Sequence, residues 1–115
     1  MKILNRNLIT VYATQEFLEW VKSVKPSLHL WGLDDINGRP AAFLIDIEDQ
    51  NLEGSIIQER FRDICETILT GQLYIGKEKW PDEIPYELFQ RWFRCQYHES
   101  IYDLSLDELR GSEDY

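Results

Sequence analysis

Apolar and polar positions change period along this chain, and each change predicts an element. From Phe93 to Tyr102 the period is two, with Phe93, Cys95, Tyr97 and Ile101 on one side and Arg94, Gln96, His98, Ser100 and Tyr102 on the other. That alternation predicts a half-buried strand. Just before it, Leu88, Phe89 and Trp92 recur at helical spacing behind Pro85, whose missing N–H costs nothing at a first helical position. A helix of about two turns is predicted there. The Trp80-Pro81 step, followed by Asp82 and Glu83, predicts an extended turn leading into it.

The earlier part of the chain reads the same way. LITVY at 8–12 is β-branched and aromatic and predicts the first strand. Thr14 suits an N-cap, Glu16 the positive end of a helix dipole, and Phe17, Trp20, Val21 and Val24 form one stripe. This helix should reach Lys25 and stop at Pro26, with Lys22 and Lys25 in its last turn. The connection 27–40 holds turn residues, yet Leu28, Leu30, Trp31 and Leu33 in it call for burial. A second strand at 41–48 turns Phe43, Ile45 and Ile47 to one face and Leu44, Asp46 and Glu48 to the other. A long helix, capped within 49–51, buries Ile57, Phe61, Ile64, Cys65 and Ile68, with Gly71 as the glycine just past its end. Glu59, Arg60, Arg62, Asp63 and Glu66 take its solvated side. Ser105 and Glu108 have capping-box spacing before a last turn, and 111–115 should fray.

The order strand, helix, strand, helix, short helix, strand predicts an α+β fold. We expect a small, mainly antiparallel sheet of about three strands with helices on one face, forming a single domain over 1–110. Its two sheet edges need covering, and a homodimer is one way to cover them. With 43% apolar and 13% aromatic residues the chain has a core to bury. Residues 1–9 lack a signal-peptide pattern and no apolar run approaches the roughly 18–20 residues of a membrane span, which predicts a cytoplasmic protein. Against 21 acidic side chains stand 12 basic ones, a net charge of −9. Nucleic acid and membrane surfaces are therefore poor partners, and a basic protein a good one.

The pattern of Leu8-Ile9-Thr10, Phe17, Trp20, Leu44-Ile45, Trp80-Pro81, Phe89, Trp92-Phe93, His98, Ile101 and Asp103-Leu104 resembles a family of small bacterial proteins of unknown function. The resemblance spans most of the chain and departs at 13–16, where the family's pattern has prolines. It implies a fold and no activity.

Candidate chemistry is sparse. Cys65 and Cys95 fall on apolar faces, and their spacing to His29 and His98 fits no zinc site, so both read as buried thiols. No serine has a Gly-x-Ser-x-Gly context and no Gly-rich loop joins a strand to a helix, so no cofactor is expected. The polar sheet face gathers Thr10, Tyr12, Asp46, Glu48, Arg94, Gln96, His98 and Ser100. A histidine beside Asp46 or Glu48 would make a general base or a metal ligand, whereas a solvated sheet face explains the same residues without chemistry. Glu99, between Tyr97 and Ile101, fits a strand end reaching water.

Three readings of function follow. The preferred one is a non-catalytic interaction module for a basic protein, in its sharper form an inhibitor, with Trp31 or Trp80 as exposed anchors among Asp34, Asp35, Asp46, Glu48, Asp82 and Glu83. The second is a small enzyme or ligand-binding protein using His98 with Asp46 or Glu48. The third is a structural homo-oligomer subunit.

Overall fold

The computed structural model describes residues 1–46 and 53–112. Ile47 and Glu48 of the second strand, the cap expected within 49–51, and the tail 113–115 lie outside the described residues. Strand β2 (Arg6–Ala13) forms the middle of an antiparallel sheet between β3 (Ala41–Asp46) and β4 (Phe93–His98). In register, Leu8 faces Leu44 on one side and His98 on the other. Alternation then decides the faces. Ile9, Val11, Ile45 and Phe93 are buried on the inner face, while Leu44, Asp46, Arg94 and Gln96 are exposed on the outer one. The α+β architecture with a small antiparallel sheet is the one the sequence predicts.

Before β2 stands β1 (Lys2–Ile3), and after β4 comes β5 (Tyr102–Asp103), which pair as a separate antiparallel ribbon. From Leu8 back to Ile3 is five residues, but from His98 on to Tyr102 is four. The extra residue on the first strand kinks the ladder as a bulge does. Glu99 and Ser100 are exposed at that kink, so the predicted strand breaks there.

Helix α1 (Gln15–Val24) starts as expected: the Thr14 hydroxyl accepts from the Phe17 N–H at 3.4 Å. The same hydroxyl donates to the Arg91 carbonyl at 2.6 Å, and Arg91 reaches Glu16 at 3.0 Å. These contacts fix α1 to the end of α4 (Tyr86–Trp92), which follows Pro85 as N-cap rather than starting on it. Between them lies an aromatic cluster, with Phe17 centred 4.5 Å from Phe93 and 5.0 Å from Trp92, and Trp20 4.7 Å from Trp92. Each such pair adds about 0.5–1.5 kcal/mol beyond its area burial.

A short helix, α2 (Leu33–Asn37), occupies the connection expected as loop, with the Asp35 carboxylate accepting from the Gly32 N–H at 2.7 Å. Trp31 is half-buried, but Leu30 is 83% exposed and escapes the burial expected of it. Helix α3 (Glu53–Thr67) buries Ile57, Ile64 and Cys65 as its stripe predicts. It then widens into a π-helical turn, Ile68–Gln72, closed by Leu73 N–H to Ile68 C=O at 3.1 Å. Gly71 sits inside this turn instead of ending the helix. The left-handed residue is Tyr74, at φ 53°. Lys25 secures the exit by donating to the Leu73 carbonyl at 2.6 Å. Ser105 takes the Asp107 N–H at 3.1 Å, but no helix follows it among the described residues, so the predicted capping box makes only a turn there.

Candidate functional site

Strand order decides the fate of the polar sheet face. Asp46 lies opposite Arg6, and His98 opposite Leu8, on the two sides of β2. Two strand spacings, about 9–10 Å, separate their strands before the stagger along β2 is added. Asp46 and His98 are therefore not brought together, and Glu48 lies outside the described residues. His98 instead meets Thr10, Nε2 to Oγ1 at 3.1 Å, while Asp46 approaches Arg6 at 3.8 Å on an exposed edge. Arg94 turns back to the Gln90 carbonyl at 2.8 Å. Each of these groups is held by its own neighbour, and the histidine–carboxylate pairing that the sequence left open does not form with Asp46.

A cleft of about 570 Å³ lies where α2 meets the end of β2, with Trp31, Asp34 and Arg39 in its wall. Asn37 builds it. Its side-chain oxygen accepts from the Ala13 N–H at 2.7 Å and its amide donates to the Ala13 carbonyl at 3.0 Å. Trp31 thus stands half-buried in a wall rather than free at the surface.

The second aromatic candidate is positioned similarly. The Trp80 indole donates to the Ile75 carbonyl at 3.0 Å, which holds the half-buried ring against the exit from the π-helical turn. Its remaining side, with Pro81 and Ile84, walls a cleft of about 740 Å³. Glu66, Glu78, Asp82 and Glu83 surround this cleft, against Arg62 and Lys77. Its edge at Glu66 belongs to the outer side of α3, where Glu59, Arg60 and Asp63 are exposed. Beyond them, between α3 and β3, runs a groove of about 360 Å³ floored by Phe43, Ile45, Ile56 and Ile64. One carboxylate-rich helix face is thus flanked by two clefts. The sequence marks that face as solvated and marks Trp80; the groove along β3 depends on how α3 lies against the sheet edge, which no local pattern encodes.

Burial pushes the Cys65 thiol up to about 12, with Glu66 adding to the effect, and the Cys95 thiol up to about 11. Neither has the electropositive setting of a reactive cysteine. Among the described residues no cluster of three or more His, Cys, Asp or Glu is arranged to hold a metal ion, and no helix is long and apolar enough to cross a membrane. No protein-family model, no curated protein and no solved structure matches the chain.

Proposed function

We propose that this chain is a non-catalytic interaction domain whose acidic surface engages a basic protein in the cytoplasm, acting in the sharper case as an inhibitor that covers a basic active site. The Trp80 cleft carries the reading: an aromatic wall fixed by its own hydrogen bond, beside Glu66, Glu78, Asp82 and Glu83. An aromatic face attracts a cation, and carboxylates beside it complete a receptor for lysine or arginine side chains. The net charge of −9 extends that preference over the whole molecule and speeds encounter with a basic partner. The resemblance to a family of unknown function adds no competing activity.

Affinity capture of the tagged protein at about 0.05 M and about 0.5 M salt tests the reading, because screening weakens long-range attraction steeply over that range. A stoichiometric basic protein retained at the lower salt and released at the higher supports it. A partner that is acidic, or indifferent to salt, overturns it.

A second reading, a homo-oligomer subunit, draws on the terminal ribbon, where Ile3, Tyr102 and Leu104 are 71%, 54% and 76% exposed. Side chains of this type favour interfaces. Sedimentation velocity at increasing concentration separates the two, since a mass that stays at 13.7 kDa removes the oligomer.

A further inference from the structure

The three-stranded sheet ends at β3. Ala13 and its alternates Val11 and Ile9 turn their backbone groups toward that side, so that Ala41, Phe43 and Ile45 face β2. The N–H and C=O groups of Ala42 and Leu44 then point outward, with no backbone partner among the described residues. Proteins ordinarily defend such an edge with proline, a bulge, or a charge turned inward. Here the strand carries none of these: Pro40 precedes it, its register with β2 is unbroken from Ala41 to Asp46, and its one charge, Asp46, points outward. The opposite edge differs, because Arg94 on β4 folds back over the carbonyls of Gln90 and Phe93 at 2.8 and 3.2 Å.

Alongside the open edge runs the groove between β3 and α3. Ile56 and Ile64 are buried in its floor, and Glu59 and Asp63 rise from α3 on its far rim. At about 360 Å³ it is near the lower limit of small-molecule pockets, roughly 300 Å³, which suits a few side chains better than a folded element. An unpaired edge beside an apolar groove is the geometry that receives an extended peptide: the backbone bonds to the edge while alternate side chains enter the groove. Around the groove and edge Asp46, Glu59 and Asp63 stand against Arg60 and Arg6, which pair with Asp63 and Asp46, and the remaining negative charge favours a segment that is basic overall.

We propose that the outer edge of β3 takes up an extended, basic segment of a partner protein as a fourth strand, with alternate side chains of that segment seated between β3 and α3. This rests on the basic-partner reading above and adds to the Trp80 cleft, on the other flank of α3, a second contact with that partner and the conformation in which it is made. A second copy of the chain is the weaker occupant, since two chains of net charge −9 repel.

The probe is a blocked heptapeptide alternating lysine and valine, titrated into the full chain labelled with ¹⁵N. Two forms of it carry backbone N-methyl groups on alternate residues, one form for each phase of the strand. Expected are amide shifts concentrated in residues 41–46, abolished by N-methylation in one phase and retained in the other. A glutamate–valine peptide should not bind, and reversal of both Glu59→Lys and Asp63→Lys, at exposed positions, should weaken the lysine peptide about tenfold. Shifts around Trp80 without any in β3 overturn the inference and leave the basic-partner reading standing. Equal effects of the two N-methylated forms, or no shift at about millimolar peptide, overturn strand addition, while the salt-dependent capture judges the basic partner separately. Equal binding of the glutamate peptide along β3 sinks the charge preference in both.

Discussion

Asn37 holds both backbone groups of Ala13, accepting from its N–H at 2.7 Å and donating to its carbonyl at 3.0 Å. Ala13 ends β2 two residues beyond the last pairing with β3, Val11 with Ala41. The side-chain amide of Asn37 therefore completes the ladder where β3 is missing, and anchors α2 to the sheet in doing so.

Removal of that amide strands a partly buried N–H and C=O. Asn37→Ala should lower the unfolding free energy by about 1–3 kcal/mol in urea titration. Asn37→Asp, which keeps the acceptor and loses the donor, should fall between it and the parent. Loss from Asn37→Ala below about 0.5 kcal/mol would show that water replaces the amide without cost.

His98 and Thr10 meet across the β2–β4 pair at 3.1 Å, and the hydroxyl is the partner the structure gives the imidazole. Thr10→Val and His98→Ala should each lower the melting temperature. Their double-mutant cycle should give a coupling of about 0.5–1.5 kcal/mol. Strict additivity would break the link, and a stable His98→Ala chain that loses a partner would return His98 to a binding role.

Both cysteines should resist alkylation in the folded protein. With Cys95 raised to about 11 against an ordinary 9.0, its thiolate fraction at pH 8 is roughly a hundredfold below that of an exposed thiol. Iodoacetamide labelling timed by mass spectrometry measures the protection, which unfolding in urea should abolish.

Cys65 also links stability to alkaline pH. Below pH about 9 the thiol is protonated in folded and unfolded chains alike, and its contribution is constant. As pH rises from 9.0 toward about 12 the unfolded chain releases its proton first, so stability falls. The decline in this window should be shallower in Cys65→Ala than in the parent, although the variant starts less stable because its side chain sits in the core. Parallel curves would place the alkaline loss in other groups.

Trp80 separates packing from recognition. Trp80→Phe removes the bond to the Ile75 carbonyl but keeps an aromatic wall, and should cost about 1 kcal/mol of stability with basic-partner capture retained. Trp80→Ala should lose capture as well. If Trp80→Ala retains it, the cleft is not the contact.

Much of the fold was legible because its signals are local. Alternation in 93–98 and the stripe of Ile57, Ile64 and Cys65 each appear as the element they predict. Of the resemblance residues, Ile9, Phe17, Ile45, Phe89, Trp92 and Phe93 are buried, whereas Leu44 and Leu104 are exposed. What escaped depends on distant partners. The helix runs past Gly71 through the π-helical turn to Gln72, and Lys25, 48 residues away, holds the Leu73 carbonyl at its exit. β1 and β5, two residues each, are too short to show a period and exist only through each other. The polar face was legible as a set of residues, but strand order, which puts β2 between Asp46 and His98, was not.

That strand order also sets a timetable. β2 is made early, yet its partners in β4 lie 80 residues away at Ala13–Phe93 and 90 at Leu8–His98. At about 5–20 residues per second of synthesis, one flank of the central strand waits roughly 4–18 s for its mate. β3 comes within reach of β2 sooner, since Ala41 follows its partner Val11 by 30 residues. Closure requires a long-range encounter that brings in Phe89, Trp92 and Phe93 together, and pairings of such sequence separation slow folding.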